Sequence, residues 1–93
     1  MKLSHEKKQK ISEQILAILF SNTPNPVFTS LIARESARDE EFIKQLLLDM
    51  KKQNLVAEIK KNPKGEDYVR RSRWTLTDVA YTAYKRNQTE LSN

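Results

Sequence analysis

Six cations crowd into one stretch of this chain: Lys60, Lys61, Lys64, Arg70, Arg71 and Arg73. Against Glu58, Glu66 and Asp67 they leave residues 57–76 with a net charge of +3. Ammonium and guanidinium groups at this density suit a polyanion, because each one that neutralises a phosphate releases condensed counterions. A second excess, +2, lies in 1–22, where Lys2, Lys7, Lys8 and Lys10 stand against Glu6 and Glu13. Residues 23–56 balance five basic groups with five acidic ones, and 77–93 also balance. The chain as a whole is +5, from 17 basic and 12 acidic residues. A charge run is also what an ordinary solvated surface looks like, so this pattern admits a polyanion partner without proving one.

Other chemistries lack their residues. With no Cys there is no disulfide scaffold and no thiolate zinc site, and one Gly cannot build a phosphate-cradling loop. The lone His5 sits among lysines and reads as an exposed side chain. Asp39, Glu40 and Glu41 are consecutive carboxylates, but no further acidic or His ligand is placed near them to complete a cation site. Helix-start chemistry explains them: Asp39 caps, and the two glutamates suit the positive end of the helix dipole. With no nucleophile–base pair in view, no catalytic residue, metal or cofactor is expected, and the chain is not read as an enzyme.

Ninety-three residues make one small domain with a thin core. At 38% hydrophobic and 31% charged, the chain is too apolar for a disordered tail. No apolar run approaches the roughly 18–20 residues of a bilayer span, and the charges from His5 to Lys10 interrupt any signal-peptide core. The expectation is a cytoplasmic protein without membrane contact, complete from Met1. Residues 1–10 are expected to form a basic leader and 87–93 a frayed tail.

The periodicity predicts a first helix over 4–21, with Ile11, Ile15, Ile18 and Leu19 on one stripe and Leu16 and Phe20 off it. Pro24 and Pro26 end it, and Val27-Phe28-Thr29 is a short extended piece. Thr29 or Ser30 is expected to cap a second helix running to Ser36. After the turn at Ala37-Arg38, a third helix over 39–53 carries Ile43, Leu46, Leu47 and Met50 inward. It sends Leu48 nearly opposite, beside Glu41, Lys44, Gln45 and Lys52. Residues 55–60 and 68–76 alternate as strands around Asn62-Pro63-Lys64-Gly65, with Trp74 and Leu76 inward. Thr77 caps a last helix to Arg86, with Val79, Ala80 and Ala83 facing the core.

This order resembles a winged helix-turn-helix domain: an α+β, mainly helical fold with a three-helix core, a two-stranded hairpin wing and a C-terminal helix. The resemblance runs through Leu31-Ile32-Ala33-Arg34-Glu35, Asp39-Glu40-Glu41-Phe42-Ile43-Lys44-Gln45-Leu46-Leu47 and Met50-Lys51-Lys52-Gln53-Asn54-Leu55-Val56. These segments are similar to the MarR-like pattern of a helix, a tight turn, a recognition helix and a Gly-Leu-Val exit, with Asn54 in place of the glycine. Trp74-Thr75-Leu76-Thr77-Asp78 resembles the entry to the last helix of the same superfamily. MarR-like and PadR-like regulators both fit.

The resemblance implies sequence-specific binding of double-stranded DNA by a transcriptional regulator, a repressor, or by a regulatory or replication factor of a mobile element. Helix 39–53 would enter the major groove, and the wing, 57–73, would lie on the backbone or minor groove. Lys60, Lys61, Lys64, Arg70, Arg71 and Arg73 would meet phosphates there. Arg34 and Arg38 flank the turn, and Thr29 and Ser30 sit at a helix start suited to phosphate. Lys44 suits guanine, Gln45 adenine, Glu41 cytosine N4, and Leu48 a thymine methyl. Tyr68 is open between base stacking and packing under the hairpin, whereas Trp74 is expected in the core. Leu16, Phe20, Tyr81 and Tyr84 either complete the core where first and last helices meet or form the interface of a homodimer, which a two-fold operator favours. The alternative is a winged-helix module that binds a protein partner through the Glu41/Leu48 face and does not read DNA.

Overall fold

The computed structural model describes residues 5–60 and 72–91. In chain order the elements are α1 (His5–Asn22), β1 (Val27–Phe28), α2 (Thr29–Ser36), α3 (Glu40–Lys52), β2 (Val56–Ile59), β3 (Arg73–Leu76) and α4 (Asp78–Leu91). The helical stripe of α1 is Ile11, Ile15 and Leu19, all buried. At its end Asn22 Nδ2 donates to the Ile18 carbonyl at 2.8 Å and Thr23 Oγ1 to that of Leu19 at 2.9 Å. These side chains add partners to last-turn carbonyls just before the prolines stop the helix.

α2 and α3 close with the same device. Ala37 takes φ 55° while Arg38 N–H reaches the Ala33 carbonyl at 2.9 Å and Ala37 N–H that of Arg34 at 3.2 Å. Asn54 takes φ 63° while Leu55 N–H reaches the Met50 carbonyl and Asn54 N–H that of Lys51, both at 3.0 Å. This paired bonding through a left-handed residue is the Schellman ending that glycine usually serves. It makes the turn between α2 and α3 tight and sends the chain from α3 directly into β2. At the other end of α3, Asp39 accepts from Phe42 N–H at 3.1 Å, the cap that its position predicts.

The strands form one antiparallel sheet in the order β1-β3-β2. Val56 pairs with Leu76 and Glu58 with Trp74, which gives the root of the expected hairpin. On the other side of β3, Val27 pairs with Trp74 and Phe28 with Arg73, so the short extended piece becomes a third strand. Trp74 is fully buried at the centre of a core that includes Ile15, Ile32, Ile43 and Leu47, each also fully buried. Each such aliphatic side chain contributes roughly 1.5–3 kcal/mol of transfer free energy.

Thr77 caps α4 by accepting from Ala80 N–H at 3.1 Å, and its hydroxyl donates to the Asn54 carbonyl at 2.8 Å. One side chain therefore starts the last helix and fastens it to the exit of α3. Three expectations are corrected. α2 begins at Thr29 with Phe28 as its cap residue and no side-chain cap bond, because the Thr29 hydroxyl is engaged inside the fold. α4 runs past its expected end at Arg86 to Leu91, while residues 5–10 lie in α1 as the helix expected over 4–21 requires. α4 is also rotated by about one residue's step from its expected face. Ala80 is buried, but Val79 is 67% exposed and Ala83 faces solvent. Phe20 instead stacks on Tyr81 at 5.2 Å between ring centroids and lies 4.8 Å from the Tyr84 ring. Burying aromatic rings in place of Val79 and Ala83 is favoured by the larger apolar area an aromatic side chain carries.

Candidate nucleic-acid interface

The side chains proposed for DNA from sequence divide into three groups. Ser30, Arg34, Arg38, Glu41, Lys44, Gln45 and Lys60 are exposed. Lys61, Lys64, Arg70, Arg71 and Tyr68, with the turn at 62–65, lie outside the described residues. Thr29, Leu48 and Arg73 are not freely presented.

Thr29 is buried, and its hydroxyl accepts from Trp74 Nε1 at 2.8 Å and donates to the Ser72 carbonyl at 3.3 Å. Its hydroxyl proton is engaged within the fold rather than presented to solvent. Leu48 is half-buried and packs against the core, so it is not the isolated exposed leucine that the helical pattern predicts. Arg73 is half-buried, with its guanidinium 5.9 Å from the centre of the Phe28 ring. That placement is a cation–π contact across the β1–β3 pair.

On α3, Lys44, Leu48 and Lys51 follow one another at helical spacing and share a stripe. Gln45 Nε2 donates to Glu41 Oε1 at 3.3 Å, so the two proposed base-reading groups are coupled within the helix. The helix pair itself is neutral: Arg34, Arg38, Lys44, Lys51 and Lys52 match Glu35, Asp39, Glu40, Glu41 and Asp49. Net attraction for a polyanion must come from its flanks. On one flank, Lys7 and Lys10 of α1 line a shallow depression with Arg38 of the turn. On the other is the wing root.

The wing root holds a group that sequence reasoning missed. The Glu58 side chain on β2 is only 6% exposed, yet its Oε1 lies 3.1 Å from Lys51 Nζ and 3.9 Å from Lys60 Nζ. Ser72 Oγ donates to its other oxygen at 2.5 Å. Burial pushes the Glu58 carboxyl up. The Ser72 hydroxyl and the two ammonium groups outweigh that and hold it below the ordinary carboxylate value. The carboxylate is therefore ionised near neutrality and ties α3 to both wing strands. The helical period marks Lys51 as sharing the Lys44 stripe. Nothing short of the hairpin register marks Glu58 and Ser72 as its neighbours.

Among the described residues no group of three or more His, Cys, Asp or Glu side chains is placed to hold a metal, and no helix is long and apolar enough to cross a membrane.

No family model matches the sequence, and no curated protein is significantly similar to it. Solved structures do match. The DNA complex of MepR from S. aureus superposes with a TM-score of 0.68 at 19% identity, covering 96% of this chain and 81% of that one. The PcaV transcriptional regulator from Streptomyces coelicolor, bound to its natural ligand, gives 0.65 at 15% identity, covering 97% and 56%. A double mutant of ZitR from Lactococcus lactis in apo form gives 0.64 at 17% identity, covering 94% and 63%. The chain thus spans less than two thirds of the PcaV and ZitR structures it matches. Likeness at these identities speaks to architecture alone: the chain has a winged helix-turn-helix fold, which these structures share.

Proposed function

We propose that this chain binds double-stranded DNA as the reading head of a transcriptional regulator. The observation that carries the reading is the placement of the exposed Lys44–Lys51 stripe of α3 beside Lys60 at the root of a strongly basic wing. α3 would lie in the major groove with Lys44 and the coupled Glu41–Gln45 pair toward base edges, while Ser30, Arg34 and Arg38 meet phosphates. The wing cations would follow the backbone or the minor groove. Structural likeness to MepR, solved in complex with DNA, supports duplex binding. A homodimer belongs to this reading, since a two-fold operator needs two copies of α3. Leu16, Phe20, Tyr81 and Tyr84, half-buried within one copy, keep the partly exposed edges through which two copies would meet.

Mobility-shift titration at two salt concentrations tests this. Tight binding to one duplex over mixed sequence, weakening steeply with salt, is the expected result. Equal weak binding to all duplexes would leave only a basic surface. The neutrality of the α2–α3 pair favours one competing reading, a protein-binding module. It requires a partner whose binding is lost in Glu41→Lys and kept when Lys44 and Lys60 are replaced by Ala.

A further inference from the structure

We propose that Lys51 and Lys60 form a seat for one backbone phosphate, and that Glu58 is the positioning residue that holds it. The inference rests on the duplex-binding reading and adds to it a site that spans α3 and the wing. Both ammonium groups address the same carboxylate oxygen, Lys51 at 3.1 Å and Lys60 at 3.9 Å, so those two distances limit their separation to about 7 Å. The anion that gathers them is 6% exposed, while the Lys51 and Lys60 side chains are 48% and 61% exposed. The negative charge is thus withdrawn beneath the surface and the two positive charges stay in water, an excess of one cation. A phosphate arriving from solvent meets both ammonium groups without displacing Glu58.

The seat is firmly supported. Ser72 fixes the second oxygen of Glu58, and the Ser72 carbonyl accepts from the Thr29 backbone N–H at 3.2 Å and from the Thr29 hydroxyl. Trp74 in turn donates to that hydroxyl. The hydrogen-bonded chain runs from α2 through Ser72, just before β3, to Glu58 of β2 and ends on α3. Lys51 is on the stripe of Lys44, two helical turns on, roughly 10 Å along the axis. A duplex lying along that stripe passes over the seat. Lys44 then addresses bases where Lys51 and Lys60 address the backbone, and the distance between helix and wing sets the register of the two.

The experiment is fluorescence anisotropy of a labelled mixed-sequence duplex of about 20 base pairs, roughly two helical turns, titrated with the full chain across a salt series. Lys51→Ala is expected to lower the slope of log K against log salt by about 0.9, which corresponds to roughly eightfold weaker binding at 0.1 M relative to 1 M salt. Lys51→Arg is expected to retain the slope. Glu58→Gln raises the net charge by one, yet is expected to weaken binding more than threefold and to have no such effect in a Lys51→Ala/Lys60→Ala background. An unchanged slope in Lys51→Ala would overturn the seat. Tighter binding by Glu58→Gln in both backgrounds would reduce Glu58 to a competing anion and overturn its positioning role. A wild-type chain that ignores duplex at low ionic strength would remove the DNA reading itself, and the seat with it.

Discussion

Replacing Thr29 by Val separates support from contact at the start of α2. Val keeps the shape of Thr, so no cavity opens at this buried site. What is lost is the acceptor for Trp74 Nε1, at 2.8 Å, inside the core. The Ser72 carbonyl keeps its bond from the Thr29 backbone N–H, so only the indole is stranded. A buried donor left without a partner costs roughly 1–3 kcal/mol. For 93 residues the total stability is of order 5–14 kcal/mol, so the change is a large fraction of it. The melting temperature is expected to fall by about 4–8 °C for each kcal/mol. Urea unfolding followed by circular dichroism and by the fluorescence of the single tryptophan measures it, with an unchanged m-value. A double-mutant cycle with Trp74→Phe should show a coupling of about 1 kcal/mol, because removing both partners leaves nothing unsatisfied. Below its melting temperature Thr29→Val should lose no direct phosphate contact, and any weakening of duplex binding should be smaller than that of Glu58→Gln, because the Thr29 backbone N–H still holds the Ser72 carbonyl. Stability within about 0.5 kcal/mol of wild type, or an additive cycle, would refute the account of Thr29.

Three further outcomes follow from the same geometry. Asp39→Ala removes the cap on Phe42 N–H and should cost about 1 kcal/mol in urea unfolding. Ala37→Gly relieves a left-handed alanine worth roughly 1–2 kcal/mol, less the 0.4–1 kcal/mol that glycine adds to the freedom of the unfolded chain; a gain of up to about 1.5 kcal/mol is expected by the same assay. Glu58 has a lower pKa folded than unfolded, so the unfolded chain takes up more protons as pH falls. Its contribution is therefore complete at pH 7 and is lost as pH falls through and below the ordinary value of 4.5. Stability–pH profiles should show a shallower acid limb in Glu58→Gln than in wild type.

Local signals were legible in the sequence where one element decides them. The stripe of Ile43, Leu46, Leu47 and Met50 fixes the buried face of α3, and Asp39 and Thr77 mark helix starts by their own chemistry. Asn54 was legible as a left-handed helix ending; Ala37, with the same conformation, carries no such mark. What required the folded chain was pairing at a distance. Val27 meets Trp74, and Thr29 spends its hydroxyl on an indole 45 residues away. No periodicity within 27–30 encodes either. On α4 Ala80 is buried as expected, but Val79 and Ala83 are not, because the aromatic contact of Tyr81 and Tyr84 with Phe20 comes from another helix and leaves no mark in the local pattern. The candidate interface followed the same division. Exposed cations on α2 and α3 were readable from helical spacing, whereas Lys51 entered only once β2 set Glu58 beside it.

The central claim is that α3 and the wing act together on one duplex, bases under the helix and phosphates under the wing. Its most direct measurement is the affinity ratio between a duplex enriched by this chain from a random pool and a mixed-sequence duplex, followed across salt. The account predicts a preference of roughly a thousandfold or more, with both affinities falling steeply as salt rises. A ratio near one, or no binding to either duplex at low ionic strength, would contradict it.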